Sequence, residues 1–318
     1  MSVVASVRRS VAANLSSPHR QPIRVLLILL WITNGAYAGS VSAIDPDAHY
    51  PEGPVWRAGQ LFYVDYSAGN IKRWDGTRAT IFWHRDGCGA SGLIDFHGHW
   101  LIACYDDNSI VEIDATGRQV RVSRADSRGR PFTGPNDFAA DGHGGIYFSA
   151  SGIYDIKAPI SGKVLHIAAD GKGINEVANT LHYPNGLTLA RDGEHLLVAE
   201  MLAGRILTFS IGSGGTLGSR SVWARLRDLA PPTPSEDAYN GPDGLKLGPD
   251  GNYYIAQNGS GRVLIVGADR KLVRAIEVPT PFVTNLAFGA AGTGTVFITG
   301  TFEQWKAPYV GVVYSWQP

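Results

Sequence analysis

SGLIDFHGHWLIACYDDNSIVEIDATGRQVRVS, Ser91 to Ser123, holds four short apolar or alternating runs parted by tight turns. The runs are Ser91 to Phe96, Trp100 to Tyr105, Ser109 to Asp114 and Gln119 to Ser123, and Gly, Asp and Asn supply the turns. Such residues between runs of this length are hairpin signals, so the stretch reads as one four-stranded antiparallel sheet. The pattern returns downstream as Gly244 to Gly248, Tyr253 to Gln257 and Arg262 to Val266, with turns at Pro249 to Asn252 and Gly259 to Gly261. No long segment carries a helical apolar period, which argues against a (β/α) barrel.

Each such unit opens on a small or polar residue, usually followed by glycine. The openers are Glu52, Ser91, Asn136, Asn185, Asp243 and Asn285, at steps of 39, 45, 49, 58 and 42 residues. Those steps fit propeller blades and exceed leucine-rich or ankyrin repeats. The expected fold is all-β: a six-bladed β-propeller with four antiparallel strands per blade, one domain over residues 39–318. The segment before Glu52 is expected to add a closing strand to the last blade.

The 318 residues are 44% hydrophobic and 18% charged, which provides a large core and excludes a disordered chain. Residues 1–38 read as a secretory signal peptide: Arg8, Arg9, Arg20 and Arg24 precede the apolar run Val25 to Ile32, and Ala36-Tyr37-Ala38 is an A-x-A cleavage site. That run is short for a bilayer span, and an uncleaved N-terminal anchor is the alternative. Cleavage removes four arginines and no acid, leaving 24 basic against 28 acidic groups, a net charge of −4. Nothing there points to nucleic acid or an anionic membrane as partner. The expected location is periplasmic or secreted, as a monomer or weak dimer. Export would let Cys88 and Cys104 form a bridge; two buried free thiols are the alternative.

The topology assigns faces. If each innermost strand starts at the top, the second strand returns there and the first turn of every blade lies at the bottom. His97, His99, His143 and His195 then sit in bottom turns, far from the openers. His182, in the connection just before Asn185, is the histidine placed to reach them.

Openers from six blades converge on the axis, and Glu52, Asn136, Asn185 and Asp243 offer two carboxylates and two amides. Calcium takes six to eight oxygens of these kinds, leaving positions for water and substrate. Zinc would recruit histidine or cysteine, neither of which is an opener; magnesium stays open. Two carboxylates in a dry tunnel would repel without a cation. Ser91 and Asn285 read instead as hydrogen-bonding neighbours between blades.

The stretch EGPVW, Glu52 to Trp56, with LFYVDYSAGNIKRW after it, resembles the opening of the gluconolactonase and regucalcin family. PNDFAADGHGGIYF (Pro135 to Phe148), YPNGLTLARDGEHLLVAE (Tyr183 to Glu200) and GPDGLKLGPDGNYYIA (Gly241 to Ala256) match as well. The resemblance implies a divalent ion, usually calcium, held by Glu52, Asn185 and Asp243. Asn136 would be a fourth ligand, as in the diisopropylfluorophosphatase-like branch, or a substrate contact. It also implies hydrolysis of a lactone or ester, with Asp243 handling the proton; His182, by its position before Asn185, is the alternative if it reaches in. Two departures stand out: Gly134 occupies the place of an arginine that holds the sugar lactone, and Ser149-Ala150 replaces Thr-Asp. The longest top loops, Ser151 to Ser161, Arg227 to Asn240 and Thr301 to Tyr309, carry Tyr154, Trp305 and other aromatics. With Tyr183 they form candidate substrate walls for a less polar lactone or ester, or simply pack the rim. A phosphotriester hydrolase and a non-enzymatic propeller with a structural ion are the competing readings.

Overall fold

The computed structural model describes residues 39–233 and 237–318. The expected signal peptide, and Pro234 in one of the top loops, lie outside the described residues.

The described residues form six four-stranded antiparallel sheets. Their innermost strands are Pro51–Arg57, Ala90–Phe96, Pro135–Ala140, Pro184–Leu189, Pro242–Leu247 and Phe282–Phe288, here blades 1 to 6. Blades 1 to 5 each use four consecutive strands. Blade 6 closes as the sequence predicts: Ser40–His49 pairs antiparallel with Val310–Gln317, from Ser40 opposite Gln317 to His49 opposite Val310. The four-residue Leu226–Leu229 is the only α-helix among the described residues. None of those residues forms a helix long and apolar enough to cross a membrane.

Strand composition follows position in the blade. Second strands such as Tyr253–Gln257 are buried throughout, and their apolar runs are nearly continuous, because a blade covers each face. Outer strands such as Gln119–Ser123 keep no buried residue and are polar. Six clusters of buried side chains hold the ring together, one in each space between neighbouring blades.

Bottom turns use aspartate. Asp141 Oδ1, for example, accepts from the backbone N–H of His143 at 2.7 Å and of Gly145 at 2.8 Å, fixing an Asx turn in blade 3.

Candidate active site

Every innermost strand slips register at its opener: between Glu52 and Val55, Ala90 and Gly92, Pro135 and Phe138, Pro184 and Leu187, Pro242 and Leu245, and Val283 and Asn285. A bulge inserts an extra residue and re-aims a side chain, so the six openers leave the sheet plane. All six are buried. The strands approach so closely that a Cβ on Gly92 would stand 2.1 Å from the Asn136 carbonyl oxygen.

Glu52, Ser91, Asn136, Asn185 and Asp243 line the floor of one cavity of about 140 Å³. The four expected metal ligands are therefore brought together. Asn185 Oδ1 and Asp243 Oδ1 are both buried and have no hydrogen-bond partner. Asp243 Oδ2 accepts from Asn258 Nδ2 at 3.2 Å, and Glu52 Oε2 accepts a long 3.3 Å contact from Gly53 N–H. Among the described residues no three His, Cys, Asp or Glu side chains gather into a ligand cluster, so the donors are two carboxylates and two amides. Orphaned buried oxygens of this kind cost free energy unless something binds them. The set fits a hard divalent cation.

The electrostatics point the same way. Burial first, then the charges of Asp243 and Asp137, pushes the Glu52 carboxyl well above the ordinary range. Asp243 is raised by burial and by Asp137, with partial relief from the Asn258 and Asn185 amides and from Lys246. Asp137 follows an opener and was missed in the sequence. Its side chain crosses the axis, accepting from Lys246 Nζ at 2.9 Å in blade 5 and from Asn285 Nδ2 at 3.2 Å in blade 6. The Asp137–Lys246 ion pair thus lies along the same tunnel as the Glu52 and Asp243 carboxylates, and a divalent ion would balance those two.

The two remaining openers behave as neighbour contacts. Ser91 Oγ donates to Pro135 O at 2.9 Å, joining blades 2 and 3, and Asn285 holds Asp137. His182 does not line the cavity: its backbone N–H donates to Glu200 Oε1 at 2.7 Å, and its Nε2 is buried without a partner. The bottom-turn histidines also stay away, His97 against Ala169 O, His99 on Glu112 and His195 on Asp192.

Above the floor stands a set of tyrosines. Tyr154, Tyr183 and Tyr309, three of the aromatics the sequence offers as candidate walls, line the cavity, whereas Tyr50, Tyr66 and Tyr105 were not foreseen. The topology repeats their seats. In blades 1 to 5 the residue two before the opener accepts, through its carbonyl, from the residue that follows the second strand: Tyr50 from Tyr66, Gly89 from Tyr105, Gly134 from Ser151, Tyr183 from Met201 and Gly241 from Asn258. The first seat has a left-handed backbone in blades 1 to 4, with φ of 56° at Tyr50, 54° at Gly89, 60° at Gly134 and 60° at Tyr183. Glycine adopts it freely, while a tyrosine does so at about 1–2 kcal/mol. At Gly134 the space beyond is taken: a Cβ there would lie 2.7 Å from the Tyr105 ring. Trp305 sits on the rim, half exposed, stacked on Tyr154 at 5.5 Å and 18°. Cys88 and Cys104 form a disulfide just below Tyr105 in blade 2.

The profile of the SMP-30/Gluconolactonase/LRE-like region matches residues 50–302. The chain is similar to a gluconolactonase of Zymomonas mobilis, 25% identical over 287 residues that cover 82% of this chain and 79% of that one. It is also similar to the diisopropyl-fluorophosphatase of Loligo vulgaris, 26% identical over 202 residues and 60% of each chain. The solved structure of a calcium-binding protein, regucalcin, from Agrobacterium tumefaciens shares the fold with a TM-score of 0.71 at 19% identity, over 87% of this chain and 93% of that one. With the profile spanning five of the six openers' blades in full, the chain belongs to the SMP-30/gluconolactonase/LRE-like family.

Proposed function

We propose that the protein is a divalent-metal-dependent hydrolase of a lactone or related ester, with calcium as the ion. The observation that carries the reading is the pair of unpartnered buried oxygens, Asn185 Oδ1 and Asp243 Oδ1, beside Glu52 and Asn136 on a cavity floor. Glu52, Asn136, Asn185 and Asp243 would hold the ion, which when bound supplies Lewis acidity toward a carbonyl oxygen.

The chain's own groups then divide the work. The cavity walls would exclude bulk water and hold the substrate carbonyl over the floor in a fixed orientation. Asp243 lines the cavity, and its unpartnered Oδ1 is the candidate acceptor for the proton of the attacking water. Asn258 holds the other oxygen of that carboxylate and fixes its orientation. Lys246 neutralises Asp137, so that the tunnel below adds little net charge to the floor.

The diisopropyl-fluorophosphatase likeness makes a phosphotriester the second substrate class to assay. A non-enzymatic binding role would leave both classes untouched. We further propose export, directed by residues 1–38; the Cys88–Cys104 bridge, stable in an oxidising compartment, supports it.

Lactone, ester and phosphotriester panels, each run with calcium and with chelator, test the reaction. Turnover is expected on lactones or esters and should disappear with chelator. Asp243→Asn is expected to lower kcat at least about 100-fold, as loss of a general base does. Near-normal turnover by that variant with calcium still bound removes Asp243 as the proton acceptor.

A further inference from the structure

The cavity has two ends of different chemistry. Its floor is oxygen donors, and its wall is a curved row of aromatic rings: Tyr154, Tyr183, Tyr105, Tyr66, Tyr50 and Tyr309. Successive centroids lie 4.8, 6.4, 6.4, 5.6 and 5.9 Å apart. Three of the hydroxyls donate away to fixed partners, Tyr66 to Asp106 at 2.8 Å, Tyr105 to Gly152 O at 2.8 Å and Tyr154 to Tyr239 O at 2.7 Å. What these residues can offer a ligand is ring surface more than hydrogen-bond donors. A ligand with many hydroxyls would surrender its water here for few replacements.

Three further observations converge. No Lys, Arg or His is among the described residues lining the cavity, so no side chain along the wall compensates a carboxylate, phosphate or sulfonate on the ligand. Tyr50, Tyr183 and Tyr309 all hold left-handed backbone, with φ of 56°, 60° and 54°, and strain kept at a cavity wall is strain that positions a ring. The volume, about 140 Å³, is close to the ~150 Å³ of an apolar cavity that takes up benzene.

The wall also holds one polar group without an occupation. Gln304 is 8% exposed, lines the cavity, and neither Nε2 nor Oε1 has a hydrogen-bond partner. A buried amide unsatisfied at both ends can pair with a polar atom at a ligand's edge.

We infer that this collar receives a neutral, planar ring joined to the reacting carbonyl, an aryl lactone or aryl ester, with its ring edge or ring oxygen toward Gln304, and that polyhydroxylated or anionic lactones are poor ligands. Only the word lactone or ester rests on the hydrolase reading; recognition of the ring stands apart from it.

The calcium-loaded protein is assayed on dihydrocoumarin and phenyl acetate against D-glucono-1,5-lactone. The expected result is kcat/KM at least 100-fold higher for the aryl substrates. A glucono-lactone value equal to or above theirs overturns the inference while leaving the hydrolase reading intact. If none is turned over, the hydrolase reading fails, and calorimetry with the lactam 3,4-dihydro-2-quinolinone decides the collar alone: sub-millimolar binding upholds it and no binding overturns it. Tyr105→Ala is expected to cost at least tenfold in kcat/KM for dihydrocoumarin, carried by KM, with Tyr105→Phe within twofold of the parent. A Phe variant as impaired as the Ala variant would show that the hydroxyl, not the ring face, does the recognising. Circular dichroism of each variant separates these outcomes from loss of the fold.

Discussion

Glu52 and Asp243 bring two carboxylates into a space from which water is largely excluded, each 6% exposed or less. Without an ion their pKa values are raised, by burial first and by neighbouring negative charge second. A folded-state pKa above the unfolded one stabilises the fold below the ordinary carboxylate value of about 4 and loses that contribution as pH rises through the folded value. Metal-free protein should therefore melt at progressively lower temperature as pH climbs from the ordinary carboxylate range toward neutrality. Bound calcium favours the charged forms, so the loaded protein should not follow, and calcium uptake in that window should expel protons. Calorimetric titration in buffers of different ionisation enthalpy measures the release. Calcium binding with no proton release anywhere in the window would mean that the two carboxyls are already ionised without the ion.

The loops between second and third strands are where residue chemistry becomes element geometry. The disulfide ties Cys88, just ahead of blade 2's innermost strand, to Cys104 at the end of its second strand, across 16 positions, and both sulfurs are buried. The same two segments are laced by Tyr105 N–H to Gly89 O at 2.9 Å and Asp106 N–H to Cys88 O at 3.2 Å. Closing a loop of this length removes unfolded-state entropy worth about 3 kcal/mol. Denaturant unfolding of Cys88→Ala/Cys104→Ala is expected to show a loss of that size, and a change below about 1 kcal/mol would mean that the lacing alone sets the element. What could be read ahead of the structure divides along the same line. Strands were legible because burial between blades imposes long apolar runs, as in Trp100–Cys104, and because aspartate and glycine mark the turns. The openers were legible because they recur at one place in each unit. Tyr66 and Tyr105 were not, since a single loop tyrosine has no period. Asp137 was hidden because strand alternation would send it away from the side taken by Asn136, and only the bulge between Pro135 and Phe138 lets both serve the axis. Tyr50 carried an unused signal: it stands two residues before Glu52, as Tyr183 stands two before Asn185.

A propeller is a ring, and a ring of one chain must be closed somewhere. Here the closure falls within blade 6, which Ser40–His49 completes, and that strand leads directly into blade 1 across the seam between the two. The buried cluster at that seam has five residues, Ala48, Leu61, Tyr63, Phe297 and Val313, against twelve between blades 1 and 2. Less apolar area is removed from water there, so the seam is the weakest hydrophobic joint. A polar staple compensates: Asp45, 6% exposed on the closing strand, accepts from Lys72 Nζ at 2.8 Å and from the hydroxyl of the fully buried Tyr63, both in blade 1. Asp45→Ala should cost about 2–3 kcal/mol, the range for hydrogen bonds to a charged group, because the buried Tyr63 hydroxyl loses its acceptor while Lys72 keeps only the Asp47 carbonyl and Asp65. The loss should be local before it is global. Hydrogen exchange should accelerate first in Ser40–His49 and Val310–Gln317, with protection in the second strands of blades 3 and 4 unchanged under native conditions. An equal loss of protection across all six blades would show that the ring opens as one unit, with no seam for the staple to hold.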